Sequence, residues 1–253
     1  MRAIILAAGR GSRMKSLTEN SPKCLLKLGG KTLLDWQLDS FAHAGISQIA
    51  IVTGYKRQLL ADRGLKEFYN DRWAETNMVF SLACAHAWLM EGPCIVSYSD
   101  IFYSIAALTL LAENRTPLAI TYDPDWLALW TKRFDEPLID AETFRLGRDH
   151  TVTEIGKKPE LIENIQGQYM GLLRFEPEGW MELLRICKAL NPHEFDKIHM
   201  TCALQKIIES GNIPIKAIPY SGGWGEVDSE QDLEAYRNLQ NFHLQAQREK
   251  QIE

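Results

Sequence analysis

Met1–Trp36, MRAIILAAGRGSRMKSLTENSPKCLLKLGGKTLLDW, is the stretch that decides the fold. Its residues 3–8, AIILAA, form an uninterrupted apolar run, the pattern of a strand covered on both faces. The run leads into a loop rich in glycine and positive charge. CLLKLGG then reads as a short strand with a glycine turn, and TLLDWQLDSFAHAG as a helix stopped by Gly45. ISQIAIVTGY is a second buried strand. Strand, loop, helix, strand is a βαβ unit, which predicts a parallel sheet with right-handed crossovers.

The alternation continues along the chain. TNMVFSLACAHAWLM reads as one helix capped by Thr76 or Asn77, and CIVSYSD as a buried strand ending at Asp100. SIAALTLLAEN is a helix and PLAITYD a strand. From Pro124 to Asn164 the pattern loosens into an excursion containing the short strand TVTEIGKKP. YMGLLRF returns as a strand, followed by helices at EGWMELLRICKAL and MTCALQKIIESG, the strand IPIKAIPY and a last helix from SEQDLEAYRNL. The tail beyond Asn241 is charged and glutamine-rich, the pattern of a frayed helix.

The chain of 253 residues, 45% hydrophobic and 24% charged, suits one globular unit with a proper core. A net charge of −5 argues against a general nucleic-acid binder, and a local basic patch on an acidic protein suggests a small anionic ligand. The five cysteines are scattered and odd in number, so buried free thiols in a reducing compartment are expected. No signal peptide or membrane-length apolar run is present, and a soluble, cytoplasmic protein is expected.

Gly9 and Gly11 leave the C-terminal end of the first strand, where open α/β sheets bind ligands. Glycine lets backbone N–H groups approach an anion closely. Arg10, Arg13, Lys15 and Lys23 add positive charge against Glu19 alone, a set suited to a polyphosphate. The loop is neither a Rossmann fingerprint, since position 14 is Met, nor a Walker loop. Glycines that merely turn, with solvated cations, are the plainer alternative.

The fuller string LAAGRGSRM, followed by PKCLLKLGGKTLLDW, resembles the signature of the nucleotidylyltransferases that activate sugar 1-phosphates and phosphocholine with nucleoside triphosphates. That signature is a strand ending L-A-A-G, then G-x-G-[ST]-R-[ML], then P-K. The phosphocholine cytidylyltransferase-like branch is the nearest, through TNMVFSL, SYSDIFY, DWLALWTKRFDEPLIDAETF and GEVDSEQDL. The resemblance implies a single-domain, Rossmann-like α/β fold over 1–253, with a mostly parallel mixed sheet and helices on both faces. Residues 1–123 would form mainly the nucleotide half and 124–241 the acceptor half, with 242–253 as a tail.

By the same resemblance, Arg13 would hold the leaving pyrophosphate and Lys23 the α-phosphate, both as catalytic residues. Leu6, Ala7 and Ala8 would face the base, with Gly9, Gly11, Ser12, Thr76, Asn77 and Ser99 completing the nucleotide site. Thr76 and Asn77 are equally good helix caps. Asp100, at a strand terminus, matches the metal-binding aspartate, and Asp228 would complete the shell of a Mg²⁺ ion. Glu226 and Asp228 alternate along an extended segment and so share a face. Either Asp100 or Asp228 could instead cap the helix that follows it.

Tyr122, Asp123, Trp126 and Trp130 combine aromatic faces with a carboxylate, which suits an amine or quaternary ammonium. Trp126 and Trp130, four apart, could equally be one apolar helical face. The resemblance assigns Tyr122, Asp123, Trp130, Lys158, Gly171 and Glu226 to the acceptor, with Asp196 and Thr201 as further matches. Lys157 stands where the related sequences commonly have glutamate. The six histidines show no metal spacing and no nucleophile partner.

These assignments imply Mg²⁺-dependent transfer of CMP from CTP to a small phosphorylated amine, alcohol or phosphonate, releasing pyrophosphate. A sugar-1-phosphate nucleotidylyltransferase using UTP, dTTP or GTP, and a catalytically dead nucleotide-binding relative, are the alternatives. The partners implied are the nucleotide and the acceptor, with neither nucleic acid nor membrane, and a homodimer stays open.

Overall fold

Strand β1 (Arg2–Ala7) buries both of its faces. Ile4 and Leu6 enter one apolar cluster, with Val79, Trp180 and Leu204. Ala3, Ile5 and Ala7 enter a second on the opposite face, with Leu34, Phe41 and Leu108. Full burial of each Ile or Leu contributes about 1.5–3 kcal/mol, so this one strand fixes a three-layer arrangement of helices, sheet and helices.

The computed structural model describes residues 1–237. Among these the central sheet also contains β2 (Gln48–Thr53), β3 (Lys66–Tyr69), β4 (Cys94–Tyr98), β5 (Leu118–Asp123), β6 (Gln168–Phe175) and β7 (Ile215–Pro219). The seven strands lie in the order β7-β5-β6-β4-β1-β2-β3. All neighbours are parallel except β6, which runs antiparallel to β4 and β5. The expected mostly parallel mixed sheet is therefore present.

The helices are α1 (Leu33–His43), α2 (Met78–Ala83), α3 (His86–Met90), α4 (Ile105–Glu113), α5 (Trp126–Arg133), α6 (Pro177–Lys188), α7 (Pro192–Lys197), α8 (Met200–Ser210) and α9 (Glu230–Arg237). Thr32 caps α1 through a hydrogen bond from the Asp35 amide, and Gly45 follows its end at φ 72°. The helix expected over TNMVFSLACAHAWLM is two, because Ala85 leaves helical geometry between α2 and α3. Strand β3 escaped the sequence reading because, at the sheet edge, its residues are only partly buried and carry no apolar run. The tail expected over 242–253 lies outside the described residues.

Two short ribbons matter for the site. Ile101–Tyr103 pairs antiparallel with Trp224–Glu226, setting Glu226 opposite Ile101. Phe144–Leu146 pairs with Val152–Ile155 in the excursion after α5. A third apolar cluster joins Met14 of the first loop to Val227, Leu233 and Tyr236. No helix among the described residues is long and apolar enough to cross a membrane. The five cysteines are unbridged; Cys24, Cys94 and Cys187 are buried as expected, whereas Cys202 is exposed.

Candidate active site

The first loop leaves β1 and turns at Gly11, whose φ of 70° is left-handed. A Cβ there would stand 3.0 Å from the Lys23 side chain, so glycine lets the loop close over that lysine. Thr18 Oγ1 donates to the Gly11 carbonyl at 2.9 Å, and Met14 is pinned in the third apolar cluster. The loop is thereby fixed with Arg13 exposed and Lys23 buried.

Asp100 sits in the turn between β4 and Ile101–Tyr103. Buried Gln37 of α1 holds that turn by donating to the carbonyls of Tyr98 and Ile101, at 2.7 and 2.6 Å. The Val227 amide donates to the Asp100 carbonyl at 2.9 Å, which brings the C-terminal segment alongside. The helix-capping alternative for Asp228 does not describe this geometry. Ser229 and Asp232 supply the first-turn hydrogen bonds of α9, leaving the Asp228 carboxylate for other partners. Asp100 likewise does not cap α4, whose N-cap is Ser104.

The Lys23 ammonium bridges the two carboxylates, reaching Asp100 Oδ2 at 2.7 Å and also bonding Asp228 Oδ1. Arg13 reaches the other oxygen of Asp228 at 3.0 Å. Burial disfavours charge on Lys23, but Asp100, Asp228 and Glu226 outweigh it and raise its pKa. Burial also opposes the Asp228 charge, and Lys23 and Arg13 overcome it and lower that pKa. Glu226 goes the other way: burial, then the charge of Asp228, pushes it up to about 8.

Oxygens of Asp100, Glu226 and Asp228 all lie within 4.8 Å of one another. Asp100 Oδ1 is buried with no hydrogen-bond partner among the described residues. An orphaned buried carboxylate oxygen beside two more carboxylates is the hard-oxygen donor set that a Mg²⁺ ion takes. The residues fit the expected metal.

Two cavities meet at this cluster. The first, about 200 Å³, is lined by Leu6, Ala8, Gly9, Gly11, Arg13, Lys23, Thr76, Asn77, Ser99 and Asp100, all singled out in the sequence. Ala7 and Ser12 do not line it; the Ala7 side chain belongs to the apolar cluster on the other face of the sheet. Trp73, Met78, Ser81 and Tyr98 complete the wall. The Asn77 side chain already bonds Met78 N, Lys197 O and His199 Nδ1, so it caps α2 and ties it to the chain before α8.

The second cavity, about 210 Å³, shares Arg13, Met78 and Tyr98 with the first and reaches Trp130, Gly171, Glu226 and Asp228. Gly171 has φ 77°, and a Cβ there would lie 2.7 Å from the Tyr98 ring, so glycine is what lets β6 pass under that tyrosine. Four acidic groups line this cavity, Asp140, Glu142, Glu226 and Asp228; burial raises the pKa of Asp140 and of Glu142.

Tyr122, Asp123 and Lys158 line neither cavity. Tyr122 stacks on Phe144 in the core, and Asp123 accepts from Trp224 Nε1 at 2.8 Å, behind the cavity wall. Lys158 donates to the carbonyls of Leu138 and Ile139, bracing the loop that carries Asp140 and Glu142. Asp196 pairs with Arg72 outside the cavities, whereas Thr201 does line the second. Sequence reasoning missed Tyr98, Tyr169, Trp224, Gln168 and His199. Tyr98 lies within SYSDIFY beside Ser99 and Asp100. Tyr169, Trp224 and His199 each stand two residues before a singled-out position, Gly171, Glu226 and Thr201 respectively, and Gln168 had no such neighbour.

A model of the MobA-like NTP transferase domain matches residues 3–152. The CTP:phosphoglutamine cytidylyltransferase of Campylobacter jejuni is 35% identical over 250 residues, covering 92% of this chain and 98% of that one. Two solved structures share the fold. The inositol-1-phosphate CTP transferase from T. maritima superposes with a TM-score of 0.73 at 20% identity, over 96% of this chain and 94% of that one. The CTP:phosphocholine cytidylyltransferase of Streptococcus pneumoniae gives 0.69 at 23%, over 96% and 98%. The glycine-and-cation loop on β1 thus sits inside a matched segment that spans more than half of the sequence, and the chain belongs to the MobA-like NTP transferase family.

Proposed function

We propose that the protein transfers CMP from CTP to a small phosphorylated or phosphonate acceptor carrying a cationic group, releasing pyrophosphate, with Mg²⁺ as its cofactor. The observation that carries this reading is the meeting of two cavities at Arg13, Lys23, Asp100 and Asp228. Two anions must approach there, and several cations make that approach feasible. Retention of both cations and both carboxylates speaks against a dead relative.

The first cavity, built from residues 6–100, is assigned to the nucleotide. The second, built mostly from residues 130–228, is assigned to the acceptor, dividing one domain into the halves 1–123 and 124–241. Arg13 attracts the leaving β- and γ-phosphates, and Lys23 neutralises charge developing at the α-phosphate. Asp100 and Asp228 would hold Mg²⁺, with Glu226 beside them, and the ion would supply further neutralisation of the phosphate oxygens. An acceptor phosphate is already ionised, so no general base is required.

The acceptor class is supported by Trp130, Tyr169 and Trp224 together with Asp140 and Glu142, a wall of aromatic faces and carboxylates that attracts an ammonium. The choice of CTP is supported by the relative from C. jejuni, which matches along nearly all of its length.

The test is a pyrophosphate-release screen of four nucleoside triphosphates against phosphocholine, 2-aminoethylphosphonate, phosphoethanolamine, phosphoglutamine and common sugar 1-phosphates. Turnover with CTP and one of the cationic acceptors is expected. Turnover confined to a sugar 1-phosphate with UTP, dTTP or GTP would overturn the proposal.

A further inference from the structure

His199 occupies the N-cap of α8, where serine, threonine, aspartate or asparagine commonly turns its side chain onto the helix. The imidazole makes no such bond. Its Nδ1 lies 3.1 Å from the Asn77 amide nitrogen instead. The orientation of that amide is set by two backbone partners: Asn77 Oδ1 accepts from the Met78 amide at 2.8 Å, and Nδ2 faces the Lys197 carbonyl at 3.2 Å. Asn77 therefore presents a donor to His199. A ring nitrogen that meets a donor must accept, and a neutral imidazole accepting at Nδ1 carries its proton on Nε2.

Asn77 lines the first cavity and His199 the second, so this hydrogen bond crosses the boundary between them. The second cavity is a poor host for a phosphate as far as its charges go. It holds Asp140, Glu142, Glu226 and Asp228 against Arg13, and Arg13 is paired with Asp228. Lys158, expected at the acceptor phosphate, bonds carbonyls outside the cavity. The start of α8, with His199 at its N-cap, forms one wall of the cavity. Met200 and Thr201 in its first turn line the cavity, the Thr201 hydroxyl donating to Glu142 Oε1 at 3.3 Å, and the His199 side chain does not cap the helix.

We infer that the Nε2–H of His199 holds a phosphoryl or phosphonate oxygen of the acceptor, and that Asn77 fixes the required tautomer from the nucleotide side. This rests on the reading of the second cavity as the acceptor's. A neutral donor suits the position, because it engages an anion without forming an ion pair with the surrounding carboxylates. Asn77 is then a positioning residue that acts through His199.

The test combines kinetics with spectroscopy on the full chain. With the best acceptor from the pyrophosphate screen, His199→Ala should raise the acceptor KM about tenfold or more, the loss of one hydrogen bond to a charged group, with the KM for CTP nearly unchanged. His199→Gln, whose amide N–H reaches the place of Nε2–H, should restore most of the affinity. Asn77→Asp keeps a good cap for α2 but offers Nδ1 an acceptor, so it should raise the acceptor KM with the imidazole still present. Long-range ¹H–¹⁵N spectra of the ¹⁵N-histidine-labelled protein at pH ~8, where an ordinary imidazole is neutral, should show Nε2–H in the wild type and a proton on Nδ1 in Asn77→Asp. An Nδ1–H tautomer in the wild type, or an unchanged acceptor KM in His199→Ala, would overturn the inference. Absence of turnover with every acceptor would overturn the functional reading and the role given to Nε2–H; the tautomer measurement, which needs no acceptor, would still decide the Asn77–His199 link.

Discussion

Arg133 and Asp232 form a fully buried ion pair, with Arg133 Nε donating to Asp232 Oδ1 at 2.8 Å. The other oxygen of Asp232 accepts from the amides of Asp228 and Ser229, each at 2.8 Å. Arg133 also reaches Glu226 at 3.2 Å. One guanidinium on α5 thus anchors the segment that carries two of the three clustered carboxylates. Burial alone would disfavour its charge, and Glu226 and Asp232 more than compensate, raising its pKa. Arg133→Met removes both the charge and the fork and leaves Asp232 buried without its counter-ion. Its unfolding free energy should fall by about 3 kcal/mol, the cost of disrupting a buried pair, as read by urea denaturation. A change below about 1 kcal/mol would show that the pair does not anchor the segment.

Asp100 and Trp130 stand at opposite ends of the proposed chemistry. Asp100→Ala should lower kcat by about a hundredfold or more while leaving substrate KM values close to the wild type, because it removes charge compensation from the transition state. Chelation by EDTA should abolish wild-type turnover, and added Mg²⁺ should restore it. Trp130→Ala should act chiefly on the acceptor KM, raising it about tenfold by loss of the aromatic face. Because Trp130 is buried against Trp126 and Trp224, a parallel melt should also show lower stability. Equal effects of the two substitutions on kcat and KM would contradict the division of roles.

Gly171→Ala forces a side chain into the left-handed region and against the Tyr98 ring. The backbone term alone costs about 1–2 kcal/mol. Tyr98 borders both cavities, so the KM for nucleotide and acceptor should rise together. An active variant with wild-type KM values would show that the ring yields freely.

Glu182 gives a pH signature away from the site. It accepts from Arg185, Asn212 and Ser210, tying α6 to the end of α8. Arg185 foremost, with Asn212 and Ser210, holds its carboxyl down to about 2 from an ordinary 4.5. A depressed pKa means that the stabilisation is complete above 4.5 and lost as the pH falls toward 2. Glu182→Gln should therefore melt below the wild type at neutral pH, and the gap should close on acidification through that window. A gap of constant size across the window would exclude an electrostatic origin.

The loop after β1 and its cations were legible in the sequence because they are contiguous and their chemistry is unusual for a turn. Asp100 and Asp228 were legible through the motifs that contain them. Tyr122 and Asp123 could not be placed, because whether the end of a strand faces a cavity or the core depends on the neighbouring strand. Here the close passage of Gly167 over the Tyr122 ring commits that residue to the interior. The link of His199 to Asn77 was invisible for a different reason: the two lie 122 residues apart, and only the packing of α7 and α8 against α2 brings them together.

Lys23 and Asp228 are separated by 205 positions, and Met14 packs against Val227 and Tyr236. Segments so far apart in the sequence must therefore find each other before the charged centre exists. A nascent chain emerging from the ribosome could complete much of the sheet and still be inert until residues near 236 were free to dock. Competence would then arrive as one of the last events of folding, as expected of contacts with so long an intervening loop.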